Sequence, residues 1–480
     1  MKPENEETIV AVATPVGEGG IGIVRLSGEK AIAIADQLFR AKKKNFQLKN
    51  AESHRFYFGT VIDCRQDAID EVLAVVFASP HSYTKEDVVE LHAHGGLVAV
   101  RQVMDHALHL GARMAEPGEF TKRAFLNGRI DLVQAEAVLD TIRAKSDLAL
   151  KAAVSQLHGS VSKEVHQIKD ELMKIYAHME AYLDFPDEHL EIYSNGEFHN
   201  RFDSACQHVK KLLDSFSKGG ALREGILTVI IGCPNVGKSS LLNAFLERER
   251  ALVSDIPGTT RDTLEEMITL EGIAFRLVDT AGLYRSHDPL AKASMARTRQ
   301  YLEEGDLFIY MVDGQKGIQA DDLAILNDLK GKPFVILVNK IDQIEPLAAE
   351  VKAGKFSEAR SVCSRLVSGF DQINQPGPCC FVSAKSRLGI EELEKVLIKS
   401  VWQGKMERES TLVTRLRHKR ALEQALDSLV KSRAAFQNQA SLELVTFDLK
   451  CALDALKEIV GEIYSEDLLD VIFSEFCIGK

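Results

Sequence analysis

The residues best suited to chemistry are Gly232-Cys233-Pro234-Asn235-Val236-Gly237-Lys238-Ser239. Their spacing, G-x-x-x-x-G-K-[ST], is that of a phosphate-binding loop. Glycines let the backbone turn so that its N–H groups aim at phosphate oxygens, and the N-terminus of a following helix adds partial positive charge. Lys238 is placed to reach the β- and γ-phosphates, and the Ser239 hydroxyl to ligate Mg²⁺. Residues 226–231 are apolar and rich in β-branched side chains, so they predict a buried strand; residues 240–246 predict the start of an amphipathic helix. A glycine-containing turn in another kind of α/β protein is the plain alternative, and these flanks favour nucleotide binding.

Further motifs follow in order. Asp279-Thr280-Ala281-Gly282 lies after an apolar run. Asp279 can hold a water of the Mg²⁺ shell, and the Gly282 N–H can sense a γ-phosphate. Between it and the phosphate loop, Pro257-Gly258-Thr259-Thr260-Arg261-Asp262 has the character of a switch loop, with the Thr260 hydroxyl completing the Mg²⁺ site. Asn339-Lys340-Ile341-Asp342 comes next. The Asp342 carboxylate can accept from N1–H and the 2-amino group of guanine; adenine would leave it unpaired. Asn339 supports the loop and the purine edge, the Lys340 stem packs on the ring, and the backbone of Ser383-Ala384-Lys385 can meet the 6-oxo group. Each tetrapeptide alone is weak, but their order makes GTP the expected nucleotide.

Leu283 follows Gly282, where a water-orienting Gln stands in Ras-type enzymes. Leucine cannot polarise water, so another group must act. The Asn235 oxygen beside the β-phosphate suits a monovalent cation such as K⁺, which would supply the charge that an arginine finger gives elsewhere. A loop-stabilising asparagine is the alternative.

These motifs need a parallel sheet to carry them. Residues 223–404 alternate strand and helix, with later strands predicted at 274–278, 307–312, 334–338 and 380–382, the pattern of a doubly wound P-loop domain. Residues 1–120 read as mixed α and β: strands at 8–13, 20–26, 56–62, 71–78 and 87–93, and helices at 29–39 and 97–110. Glu90, His92 and His94 share one face of a strand at period two, which fits a polar ligand-facing surface better than a metal site. Residues 121–222 turn helical. Leu132, Ala135, Val138, Leu139 and Ile142 form one stripe, and Val161, Val165, Ile168, Leu172, Ile175 and Met179 another, broken at Pro186. Residues 405–480 return to helices, with Leu449, Ala452, Leu453, Leu456, Ile459, Val460 and Ile463 on one face. The α/β domain is thus expected as an insertion in a helical domain.

The 480 residues allow several domains, and a net charge of −11 argues against indiscriminate coating of nucleic acid. The eight cysteines form no C-x-x-C pair, so no zinc or disulfide framework is expected. The acidic N-terminus does not read as a signal peptide, and no apolar run approaches the ~20 residues of a membrane span. A cytoplasmic protein without a membrane role is the expectation.

Over nearly its full length the chain resembles the MnmE (TrmE) family of tRNA-modification GTPases. The residues that carry the likeness are Ala13-Thr14-Pro15, Gly19 through Arg25, Glu90 with His94-Gly95-Gly96, Pro117 through Thr121, Arg123 through Asn127, the motifs above, and the last four residues, Cys477-Ile478-Gly479-Lys480. The resemblance implies a multidomain fold: an α+β folate-binding and dimerising domain (1–120), a helical domain in two segments (121–222 and 405–480), and an inserted Ras-like G domain (223–404). It implies a K⁺-stimulated GTPase that forms a homodimer and joins the FAD-containing flavoprotein MnmG (GidA) in a heterotetramer. The pair modifies carbon 5 of the wobble uridine of certain tRNAs, with a one-carbon unit from 5-formyltetrahydrofolate or a related tetrahydrofolate derivative.

Matching positions put folate ligands at Arg25, Glu90, Arg129 and Lys480, with Cys477 as a candidate for the modification chemistry. Arg and Lys suit an anionic glutamate tail and a carboxylate suits the pterin N–H edge. Asn235, Ser254, Ile256 and Thr259 match the K⁺ ligands, and Ser239 and Thr260 the Mg²⁺ ligands. With Asn235, Val236, Gly237, Lys238, Ser239 and Ser240, the expected GTP contacts are Ser254, Asp255, Ile256, Pro257, Gly258, Thr259 and Thr260. They continue with Asp279, Thr280, Ala281, Gly282, Asn339, Lys340, Asp342, Ser383, Ala384 and Lys385. Lys238, Thr260 and Gly282 are the expected catalytic contacts. One departure stands out: Ala291 occupies the position of a water-orienting family glutamate, leaving Asp288, or locally His287, as replacement candidates. The alternative reading is a ribosome-assembly or scaffold GTPase with the same kind of G domain; neither a G-x-x-G RNA clamp in the tail nor a second phosphate loop supports it.

Overall fold

The computed structural model describes residues 7–15, 17–184, 195–250, 265–279, 300–318, 322, 323, 326, 329, 331–366, 378–401 and 411–480. The chain forms two compact units, one of Met1–Ile142, Val154–Lys210 and Arg420–Lys480, the other of Arg143–Ala153 and Lys211–Lys419.

In the first unit, alternating and β-branched runs become β1 (Ile9–Val12), β2 (Gly19–Ser27), β3 (Phe39–Ala41), β4 (Phe56–Ile62), β5 (Ala68–Phe77), β6 (Val88–Gly95) and β7 (Arg113–Met114). They pair in the order β3-β4-β5-β6-β2-β1-β7, antiparallel except for β1 with β7. Side chains of a strand alternate between faces. On β6 this buries Val89, Leu91 and Ala93 in one core with the helices Ala31–Leu38 and Leu97–His109, and leaves Glu90, His92 and His94 on the other face. The register sets Arg25 of β2 opposite Glu90.

The helical part of this unit follows the predicted stripes. Val161, Val165, Ile168, Leu172, Ile175 and Met179 are all buried on the helix Ser160–Asp184, which packs against Leu442–Val460. Two members of the expected stripes depart from them. Ile142 lies in the last turn of Leu132–Arg143 and is 49% exposed. Ile463 lies past the Gly461 cap of its helix and is 40% exposed. Pro186 lies outside the described residues. The helix Glu466–Ser474 is capped by the Ser465 side chain, which accepts from the Leu468 N–H.

The second unit holds β8 (Ile226–Gly232), β9 (Glu265–Leu270), β10 (Ile273–Asp279), β11 (Leu307–Asp313), β12 (Phe334–Asn339) and β13 (Cys379–Phe381), in the order β13-β12-β11-β8-β10-β9. All neighbours are parallel except β9, joined to β10 by the two-residue turn Glu271–Gly272. The central strands β8 and β11 are apolar almost throughout because both sheet faces are covered. Parallel strands bring the ends of β8, β10, β11 and β12 to one edge, where ligands of such sheets bind. The expected doubly wound sheet is therefore present, with β9 as an added antiparallel edge.

Candidate functional site: a nucleotide loop and a tail-closed cationic site

The phosphate loop leaves β8 at Gly232 and enters the helix Lys238–Arg250. Asn235 holds the left-handed conformation, at φ 66°. Gly237, at φ +102°, passes so close to Asn339 that a Cβ would lie 2.3 Å from its Nδ2. A side chain there would push the two loops apart. The Lys238 Nζ is buried and donates to the loop carbonyls of Gly232 (2.6 Å) and Cys233 (3.0 Å). The Ser239 hydroxyl donates to Asp279 Oδ2 at 2.7 Å. The hydroxyl and carboxylate oxygens are hard donors suited to a hydrated Mg²⁺.

Asn339, at the end of β12, joins three motifs. Its Nδ2 donates to the Val236 carbonyl at 2.7 Å, and its Oδ1 accepts from the Ala384 N–H at 3.0 Å. Lys340, at φ 64°, extends over the loop and donates to the Asn235 carbonyl (2.8 Å) and to Asp313 Oδ2 (2.7 Å). Asp342 and Lys385 are exposed, while Ser383 is buried and its hydroxyl accepts from the Ser386 N–H. The structure thus brings together Asn235, Val236, Gly237, Lys238, Ser239, Asp279, Asn339, Lys340 and Ala384. Ser254, Asp255, Ile256, Pro257, Gly258, Thr259, Thr260, Thr280, Ala281, Gly282, Leu283, His287, Asp288 and Ala291 lie outside the described residues. Of the expected K⁺ ligands only Asn235 is described; its exposed carboxamide offers an oxygen.

Sequence reasoning missed two supports of this loop. Asp313, which anchors Lys340, carried a signal: an acidic residue ends the apolar strand β11. Asp322, almost fully buried, accepts from the Cys233 thiol at 3.1 Å and from the Tyr310 hydroxyl at 2.5 Å. No spacing in the sequence points to it.

A second cluster lies in the first unit. Arg25 Nε donates to Glu90 Oε1 at 2.7 Å, and its NH1 donates to the Gly479 carbonyl at 3.2 Å. His92 Nε2 is 3.0 Å from Glu90 Oε2. Burial alone would push the Glu90 carboxyl up, but the His92 hydrogen bond and the Arg25 charge outweigh it and hold its pKa below the usual value. His94 instead bonds Asp70, at 2.7 Å. Among the described residues no three side chains gather as a metal site.

The C-terminal segment closes this cluster. Ile478 bridges Pro117, and the Phe120 N–H donates to the Lys480 carbonyl at 3.2 Å. Gly479, at φ +97°, passes the β1 edge so closely that a Cβ would stand 2.3 Å from the Val12 carbonyl oxygen. Lys480 is half-buried; burial first, then the Arg25 charge, lowers its pKa. Cys477 is exposed. Arg129 reaches the same region, its guanidinium 4.7 Å from the Tyr83 ring centre.

Comparison with known proteins bears directly on these two clusters. The model described as "GTP-binding protein TrmE N-terminus" matches residues 8–129, and that of the "MnmE helical domain" matches residues 132–477. The chain is 43% identical to the tRNA modification GTPase MnmE of Alkaliphilus metalliredigens over 477 residues, covering 99% of both chains. The chain belongs to the MnmE (TrmE) family. The MnmE proteins of Acetivibrio thermocellus and Clostridioides difficile match at 39% and 40% identity, each again over 99% of both chains. Both clusters of this MnmE-family chain, the strand-edge loops and the tail-closed arginine–glutamate pair, lie within the matched lengths.

Proposed function

We propose that the chain is a GTP hydrolase acting in tRNA modification, and that its two clusters hold GTP and a reduced folate. The observation that carries the GTPase reading is the Asn339 link, which ties the phosphate loop to the Ala384 backbone expected at the guanine. Asp342 reads N1–H and the 2-amino group, and the loop N–H groups and Lys238 hold the phosphates. Lys238 leaves its two carbonyl partners for the β- and γ-phosphates. Ser239 and Thr260 would hold Mg²⁺, with Asp279 as their support; bound there, it would supply positive charge to the phosphates. Asn235, with Ser254, Ile256 and Thr259, takes K⁺. Gly282 senses the γ-phosphate, and Asp288 is assigned to the attacking water in place of the missing glutamate.

Arg25, Glu90, Arg129 and Lys480 bind a tetrahydrofolate derivative such as 5-formyltetrahydrofolate, and Cys477 stands exposed beside them for the modification step. The oxygen and cation set fits such a ligand: Glu90 is held ionised, and Arg129 and Lys480 offer charge to an anionic tail. The protein works as a cytoplasmic homodimer with the MnmG flavoprotein on the wobble uridine of tRNA, and its domains divide at about 120, 222 and 404. No helix among the described residues is long and apolar enough to cross a membrane. Comparing GTP turnover in K⁺ with turnover in Na⁺ tests the hydrolytic half: stimulation by K⁺, lost in Asn235→Ala, is expected. Equal rates in both salts would remove the cation from the account.

A further inference from the structure

Tyr83 meets two of the tail-site guanidiniums. The guanidinium carbon of Arg129 lies 4.7 Å from its ring centre, and that of Arg25 lies 5.8 Å from it and 5.6 Å from the Phe120 ring centre. These distances are within reach of attraction between a cation and a ring face. Arg25 comes from β2 and Arg129 from the turn after the helix Glu119–Leu126. Two cations brought together repel unless something electron-rich lies near them. Arg25 has the Glu90 carboxylate at 2.7 Å. Among the described residues Arg129 has no carboxylate in ion-pair range, and its guanidinium lies against the Tyr83 ring.

The ring has little freedom to move. Its hydroxyl lies 3.0 Å from the hydroxyl of buried Thr121. The residues that follow it are fastened as well. Thr84 bonds Ser27 at 2.6 Å, and its carbonyl accepts from Asn127 at 2.7 Å. Lys85 reaches the Gly128 carbonyl at 3.0 Å. Glu86 takes the almost fully buried Arg123 at 3.1 Å. The turn that presents Arg129 is therefore clamped to the loop that presents Tyr83.

We propose that Tyr83 is a positioning residue of this site: an aromatic platform that holds Arg25 and Arg129 against one surface, so that an anionic group of the ligand is drawn to both. The anion is the glutamate-tail carboxylate of a tetrahydrofolate derivative, and in this the inference rests on the folate reading above. Arg25, Arg129 and Lys480 outnumber Glu90, so the cluster carries the excess positive charge that such a group needs.

The test uses the full-length chain and titrates 5-formyltetrahydrofolate by calorimetry. Tyr83→Leu is expected to weaken binding about 10-fold, the loss of cation–ring attraction to both arginines. Tyr83→Phe and Tyr83→Trp, which keep a ring, are expected to stay within about 3-fold of the parent. GTP turnover of these variants is expected to be unchanged. Loss in Tyr83→Leu that Phe and Trp fail to restore overturns the platform. If Arg129→Ala loses binding while Tyr83→Leu binds like the parent, Tyr83 is excluded and the folate reading stands. If Arg25→Ala and Arg129→Ala also bind like the parent, the folate reading falls and the inference with it. Should Tyr83→Leu fail to fold, Tyr83→Met replaces the ring with another apolar side chain; a weakening of about 10-fold is expected from it, and binding like the parent overturns the proposal.

Discussion

The Asn339 carboxamide donates to the Val236 carbonyl at 2.7 Å, and so fastens the end of β12 to the phosphate loop that follows β8. The same side chain accepts from the Ala384 N–H. Asn339→Ala leaves two buried backbone groups without this partner, at about 1–3 kcal/mol. Guanine-nucleotide affinity is expected to fall roughly 10- to 100-fold. Titration with a fluorescent GDP checks this; affinity within about 2-fold of the parent would show the link to be incidental.

The 2.7 Å bond from Ser239 to Asp279 sets together the two groups proposed to support Mg²⁺. Asp279→Asn keeps the size and removes the charge. Its GTP turnover is expected to drop at least ~100-fold, since several kcal/mol of charge stabilisation pass through the ion. Turnover measured across a Mg²⁺ series checks this, and the optimum is expected to move to higher Mg²⁺.

Gly479→Ala meets the Val12 carbonyl oxygen at 2.3 Å in a backbone conformation, φ +97°, that alanine disfavours. The tail is expected to leave the Arg25 cluster. Modification of tRNA is expected to fall, while GTP turnover by the purified variant stays near the parent. A variant that modifies tRNA normally would show that the tail need not dock.

The Glu90 carboxyl sits below its ordinary pKa because His92 and Arg25 together outweigh its burial. A carboxylate with a depressed folded-state pKa stabilises the fold above its unfolded value, about 4.3, and loses that stabilisation as pH falls through the folded value. Glu119, held down by Arg113, the Glu116 N–H and Arg123 against its burial, behaves alike. Melting curves of the parent and Glu90→Gln are therefore expected to differ by about 1–3 kcal/mol at neutral pH and to draw together as the pH falls below the ordinary carboxylate range.

How much of this was legible in the sequence depends on range. Periodic stripes were readable, and the helix Ser160–Asp184 buries the expected side chains. The motifs found their strand ends because apolar runs and turns are local signals. The short edge strands β3 and β7 were not readable: three and two residues carry no period. Nor was β9, whose Glu265–Leu270 alternates weakly. Ile142 and Ile463 stood in good helical phase, yet the helices ended around them. Asp322 under Cys233 and Tyr83 between two arginines depend on contacts between distant segments, which no single stretch displays.

Thiol exposure gives a further check. Cys64 and Cys477 are exposed, whereas Cys363 and Cys380 are buried. Burial pushes the Cys379 thiol up to about 12, against a smaller opposing effect of Arg360, and raises Cys380 further. Iodoacetamide at pH 8 is expected to mark Cys477 and Cys64 in the native protein, and Cys379 and Cys380 only after denaturation. Protection of Cys477 by 5-formyltetrahydrofolate would place the ligand beside the tail.

The most direct measurement of the central claim is mass spectrometry of tRNA nucleosides from a bacterial strain that lacks its own MnmE-family gene and carries this chain. Restored aminomethyl or carboxymethylaminomethyl groups at carbon 5 of the wobble uridine are the predicted result, lost again with Asn339→Ala or Gly479→Ala. Wobble uridines left unmodified by the intact, GTP-hydrolysing protein would contradict the account and favour an assembly role for the GTPase.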